Sequence, residues 1–213
     1  MNLIARETNS SLFMVMHTAL AVLLARLSGT TDIVIGTPVA GRGEQVLDDV
    51  VGMFVNTVVL RTEVDPASTF SELLRRVRDL DLSAFGHMDM PFEQLVEVLN
   101  PVRSQSRSPL FQVLLAFQNM EQSVLELGDL SVSGLDVGLE AASEKFDLSL
   151  SLVEQFDGIN SPVGITAKFT FATDLFDEST IRVLSERFLS LLGAVAVDSS
   201  VVVGDVDLLD SSE

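Results

Sequence analysis

The stretch LFMVMHTALAVLLARLSGTTDIVIGTPV, residues 12–39, puts two different apolar patterns end to end. Residues 12–27 are apolar almost all the way round a helix, with His17 as the first interruption. That run is shorter than the roughly 20 residues that cross a bilayer. A secretory leader would need a basic start, yet Glu7 stands there and no A-x-A cleavage pattern follows. The run therefore reads as a buried core helix, capped by Thr8, Asn9 or Ser10 and stopped at Ser28-Gly29. His17 becomes a satisfied core histidine. DIVIGTPV (32–39) is rich in β-branched residues and reads as a buried strand leaving into a loop at Pro38. A buried helix feeding a buried strand is the beginning of a layered α/β arrangement.

The pattern continues in both senses. GMFVNTVVLRTEV (52–64) reads as a strand. In 65–85, Ser68 or Thr69 followed by Glu72 makes a capping box, with Phe70, Leu73, Leu74, Val77 and Leu80 at helical spacing. Pro91 suits the first turn of a shorter helix, PFEQLVEVL. NPVRSQSRSP (100–109) is a loop and LFQVLLAFQN (110–119) a buried strand. FDLSLSLVEQF (146–156) and VGITAKFTFATDLF (163–176) flank the turn DGIN and predict a β-hairpin. Residues 177–198 predict an amphipathic helix. The remainder, SSVVVGDVDLLDSSE (199–213), holds acids and no base and reads as a surface tail leading out of the domain.

Composition narrows the chemistry. Among 213 residues, 31 acids face 13 Lys plus Arg, a formal charge of −18. That sign repels phosphate backbones and anionic lipid, so neither nucleic acid nor membrane is an expected partner. With no cysteine, disulfides, thiolate catalysis and Cys-based zinc sites drop out. Two histidines, His17 and His87, make no metal site without carboxylate help. The acid pairs Asp48-Asp49 and Asp79/Asp81 read as solvated faces. No G-x-S-x-G or P-loop is present.

What remains are three polar clusters. Asn56 and Thr57 interrupt a strand; they either bond local backbone or face a cleft. In GHMDMPFEQLVE (86–97), Asp89 sits where it can cap the helix that Pro91 begins. His87 leads into that helix start and reads as a positioning residue; a general base needs an orienting partner and a substrate within reach. Arg107, ahead of Pro109, reads as a loop staple.

VGMFVNTVVLR (51–61), HMDMPFE (87–93) and RSQSRSPL (103–110) together resemble, in order and spacing, the last three motifs of nonribosomal peptide synthetase condensation domains. Those patterns are VGxFVNTxxxR, HQDxPFE and RDxSRNPL. IGTPVAGR (35–42), KFDLSL (145–150) and FATDLFD (171–177) are similar to that family too. Met88, Ser104 and Ser108 depart from it. The family's catalytic HHxxxDG is missing: His17 precedes TALA and His87 precedes MDMP.

The resemblance implies a C-terminal lobe, 1–198, with 199–213 opening a linker to an adenylation domain. The implied fold is a chloramphenicol-acetyltransferase-like two-layer α/β sandwich with a mixed sheet. The implied activity, shared with an absent N-terminal lobe, is amide bond formation between thioesters on phosphopantetheine arms of upstream and downstream peptidyl carrier proteins, in the cytoplasm. Alone the lobe is expected to be inactive and to bind no cofactor directly. Its tunnel and lobe-interface residues would be Phe54, Asn56, Thr57, Arg61, His87, Asp89, Pro91, Phe92, Glu93, Arg107, Pro109 and Leu110, with none catalytic and none a metal ligand. A segment within 120–154 would cross to the other lobe, and carriers would dock near Arg75, Arg76 and Arg78. Two alternatives stand beside this reading: a stand-alone interaction module, and the matching lobe of an epimerization or cyclization domain.

Overall fold

The structure is a computed structural model that describes residues 1–41, 46, 49–102, 104, 107–118, 145–157 and 161–209. The helices are α1 (Asn2–Glu7), α2 (Leu12–Ser28), α3 (Phe70–Phe85), α4 (Phe92–Leu99) and α5 (Glu178–Val197). The strands are β1 (Asp32–Ala40), β2 (Val55–Glu63), β3 (Val113–Gln118), β4 (Leu148–Phe156) and β5 (Pro162–Phe171). The sheet order is β2-β1-β3-β4-β5. The outer pairs are antiparallel and the two central pairs, β1–β3 and β3–β4, parallel. The expected mixed sheet is what the chain forms.

α2 carries the core. Val15, Ala19, Leu20, Ala21, Val22 and Leu23 are wholly buried, as a helix apolar on every side requires. They pack with Ile33, Ile35, Leu115, Leu148, Leu150 and Leu152 of the sheet and with Leu184, Phe188 and Leu191 of α5. Along each strand these residues alternate, so one sheet face takes the helices. Among the described residues no helix is long and apolar enough to cross a membrane.

Several expectations are corrected. The N-cap of α2 is Ser11, whose side chain accepts from Met14 N at 3.2 Å. Asn9, with φ 52°, turns the chain and leaves residues 2–7 as a helix of their own. The stop at Gly29 (φ 70°) is as expected. β1 runs two residues past Pro38, because its pairing with β3 reaches only Gly36 and no bond is asked of the proline there. β2 begins at Val55, not ahead of it. In α3 the capping box is Thr69–Glu72, but Leu80 is 48% exposed and Asp81 is 1% exposed. Asp81 is therefore a core residue and not a solvated one. Of the proposed crossover, 120–144 lies outside the described residues, while 148–154 belongs to β4, paired with β5 throughout and with β3 over 148–153.

The acidic tail is the largest difference. Val203, Val206 and Leu208 are buried in the core, while Asp205 and Asp207 point outward. The acids hid an apolar alternation. Phe70 N donates to Val201 O, Val203 N to Ser68 O and Gly204 N to Pro66 O, at 2.9–3.0 Å. Arg26 Nη1 donates to both Val203 O and Val206 O. A Cβ at Gly204 would sit 2.6 Å from Pro66 O, so this seam needs glycine. Residues 199–208 are thus docked on the ends of α2 and α3.

The seam has its own acid sensitivity. Asp65 is held below its ordinary 3.8 by the Ala67 N–H and the Ser68 hydroxyl. Glu72 is held below its ordinary 4.5 by Thr69, through the backbone N–H first. Asp198 is lowered by the hydroxyl and N–H of Ser200. Depressed folded values mean the folded state binds fewer protons, so this stabilisation is complete above the ordinary values and lost as pH falls through the depressed ones. We expect the Val203 and Gly204 amides to show protection comparable to α3 near neutral pH, declining below about pH 4. Random-coil exchange across 199–208 at pH 7 would contradict the docking.

Candidate functional site

The turn 86–91 follows α3 without a break. His87 N donates to Ala84 O, Met88 N to Phe85 O and Met90 N to His87 O. α4 then begins at Phe92, with Pro91 as N-cap and no side-chain cap of its own. Asp89 is exposed and does not cap it, contrary to expectation. The cap comes from another element. Asn56 on β2 accepts from Phe92 N at 3.1 Å through Oδ1, which also accepts from Thr57 N at 2.8 Å. Its Nδ2 donates to Met88 O and Met90 O, both at 2.7 Å. An amide side chain has two donor hydrogens and two acceptor lone pairs, and all four are used. Asn56 therefore bonds remote backbone; neither of the two readings of the FVNT pair anticipated that.

His87 is exposed, and its Nδ1–H donates to Ser83 O at 2.8 Å. Among the described residues no carboxylate orients its ring. This is the geometry of a residue held in a turn, without the orienting partner that a general base uses.

The third motif meets the second. Phe92, Glu93, Val96, Ser104, Arg107 and Pro109 line one cleft of about 410 Å³. Glu93 stands in the first turn of α4, where the helix dipole favours a carboxylate. Arg107 is exposed and, among the described residues, staples nothing. Leu110 has φ 70°, and Phe111 N donates to Pro109 O across it at 2.9 Å, a γ-turn of the strained hand. The turn drives Phe111 under β1, where a Cβ at Gly36 would overlap its ring. Phe111 stacks on Phe146 at 5.1 Å and meets Phe92 edge-on at 5.7 Å. Gly36, Phe111 and Phe146 were not singled out from sequence; a glycine inside the strand pattern was the available sign of close approach.

Two residues stand apart. Arg61 is at the far end of β2, in a two-pronged bond to Asp32 with Nε–Oδ1 2.8 Å and Nη2–Oδ2 2.7 Å. That bond lowers the Asp32 carboxyl and raises the Arg61 guanidinium. Phe54 lies just before β2, its carbonyl accepting from Gly41 N. Of the three arginines expected at a docking face, Arg76 bonds Ser68 Oγ, and Arg78 bonds Asn9 O and Asp79. Among the described residues no three metal-ligating side chains converge.

The first and second motifs thus share one hydrogen-bond network, and the second and third one cleft; comparison with known proteins says whose motifs they are. The family model of the condensation domain matches residues 1–213. The chain belongs to the condensation-domain family. It is 44% identical over 210 residues to a dimodular nonribosomal peptide synthase of Bacillus subtilis, covering 99% of this chain and 9% of that protein. It is 42% identical to an isonitrile lipopeptide synthase of Mycobacterium tuberculosis, covering 99% and 8%. Among solved structures, the X-domain from teicoplanin biosynthesis superposes with a TM-score of 0.84 at 29% identity, over 96% of this chain and 46% of that one. The condensation domain of the polyketide synthase MokA, at 21% identity and a TM-score of 0.79, shares the fold and is covered over 44%. The chain therefore spans under a tenth of those synthetases and just under half of those domains.

Two substitutions test this geometry. Asn56→Ala strands two carbonyls and the first amide of α4, and should cost about 1–3 kcal/mol in a denaturant titration. His87→Ala removes one exposed bond and should cost under about 1 kcal/mol. A larger loss at His87 than at Asn56 would reverse the assignment.

Proposed function

We propose that this chain is the C-terminal lobe of a condensation domain, contributing one wall of the site where an acceptor amine attacks a donor thioester to form an amide. The observation that carries this reading is the Asn56 network, which ties the FVNT strand to the HMDMPFE turn. The shared cleft adds the third motif. Coverage of just under half of the X-domain and of the MokA domain agrees with one lobe of two. In this reading an N-terminal lobe bearing HHxxxDG supplies the catalytic base. Phosphopantetheine arms of two carrier proteins deliver the thioesters, an adenylation domain follows, and the location is cytoplasmic. The roles of the twelve residues named from sequence divide accordingly. Asn56, His87, Pro91, Phe92, Glu93, Arg107, Pro109 and Leu110 shape the site; Thr57 continues the strand; Arg61 fixes its pairing; Phe54 and Asp89 flank it.

The lobe leaves apolar surface for partners. Met53, Val55, Val98, Leu99 and Val102 are all more than half exposed, and α4 buries no residue fully. With a net charge of −18, docking of an acidic carrier would rest on such apolar contact and not on charge.

A second reading has one observation behind it. The X-domain that this chain resembles is also described in complex with OxyB, at 29% identity, so a binding module on this fold is a real alternative. Identity to the synthetases is higher, 44%, and favours condensation.

Mixed with aminoacyl-loaded carriers, the chain alone should yield no dipeptidyl thioester by mass spectrometry. Asn56→Ala in an intact condensation domain should lower turnover about tenfold or more, the scale on which misplaced site geometry acts. Product from the isolated chain, or full turnover in that variant, would reject the assignment.

A further inference from the structure

The last turn of α3 breaks its own pattern. Phe70, Leu73, Leu74 and Val77 form its buried face, and the next buried position on it is Asp81. A carboxylate there is costly unless paired. Its partner is His17 on α2, wholly buried, with Nδ1 3.0 Å from Asp81 Oδ2. The other ring nitrogen, Nε2, faces the hydroxyl of buried Thr62 on β2 at 3.5 Å. One imidazole on α2 thus meets two other elements, α3 and β2. Phe13, one turn earlier on α2, lies 6.1 Å from that imidazole and 5.7 Å from the ring of Phe85.

These contacts converge on one place. Phe85 ends α3, and its carbonyl accepts Met88 N–H. Ser83, two residues beyond Asp81, accepts the His87 ring N–H. β2, which carries Thr62, reaches the same turn from the other side through Asn56. The surroundings on α2, among them Val15, Ala19 and Leu20, are apolar and lack direction. They hold α3 close without fixing where along α2 it sits. A buried, directional polar pair adds little net stability over apolar packing of the same shape, yet it admits only one arrangement.

We propose that His17 is a positioning residue: through Asp81 and Thr62 it sets the last turn of α3 against β2, so that the 86–92 turn meets Asn56. This inference stands whether or not the condensation reading does, because its readout is the turn itself.

The test uses the ¹⁵N-labelled chain at one pH and two signals, exchange of the Asn56 side-chain amide and the ring-nitrogen shifts of His87. His17→Leu and the double change His17→Leu/Asp81→Leu are the probes. The double variant leaves no uncompensated buried charge, so it keeps the fold. In both, Asn56 amide exchange should accelerate about tenfold and the His87 Nδ1–H signature should be lost. His17→Gln, which keeps a donor toward Asp81, should restore both to within about threefold. Val195→Ala, a cavity in wholly buried α5 packing, should leave both signals at their wild-type values. Wild-type signals in the folded double variant would overturn the proposal. So would equal disturbance by Val195→Ala, which would mark the effect as general loosening.

Discussion

The four hydrogen bonds of Asn56 are the constraint on which the site depends. Three of them leave β2 and close on Met88, Met90 and Phe92. They require Asn56 to face the same side of the sheet as Val58, Leu60 and Thr62, which are buried on the helix side. A one-residue slip of β2 along β1 would turn Asn56 to the opposite face. Nine paired positions from Asp32↔Glu63 to Ala40↔Val55 oppose that slip, and the Arg61–Asp32 bond closes the far end. Exposed as it is, that ion pair adds little stability. Its geometry still favours one register, which explains an arginine of the first motif so far from the cleft that the other two motifs line.

The second constraint is steric. Leu110 holds a backbone conformation that costs a non-glycine residue about 1–3 kcal/mol, and Phe111 gains in exchange a buried position beneath Gly36. The aromatic series Phe92–Phe111–Phe146 then connects α4 to the start of β4 through the strained turn. Strain stored where two motifs meet is characteristic of sites whose geometry is fixed from outside. Gln112 supports it by donating to Ser108 O, so the serine that stands at the family's asparagine position contributes its backbone there.

The fold was legible because its periodicities are strong. α2, α3, α5 and the β4–β5 hairpin all appear where apolar spacing predicted them. Two of the misreadings, Asp81 and the tail, have a common cause: charge was taken to mean exposure. Asp81 occupies a core position of α3 that spacing alone would have assigned to it, four residues after Val77. In the tail, Val203, Val206 and Leu208 are buried between acids that face water. The site was legible as a set of motifs but not as a mechanism of assembly. Asn56 lies 36 residues from the amide it caps, and Asp89, the local candidate, is exposed. Local sequence names a cap by proximity, whereas here the sheet supplies it from a distance.

Under the reading proposed above, a division of labour within a condensation domain would follow from these same interactions. Everything that converges at the 86–92 turn fixes position: an amide with no titratable proton, a histidine whose ring is held by a backbone carbonyl, an aromatic stack and a strained turn. None of them is a base oriented by a carboxylate. The histidine that does face a carboxylate, His17, is sealed in the core at 3.0 Å from Asp81 and reaches no cleft. Among the described residues, what meets at this turn fixes geometry through backbone hydrogen bonds and ring packing. Under the reading proposed above, chemistry would come from a facing lobe, and the exposed apolar residues of α4 and of the segment before β2 are surface that such a partner would cover.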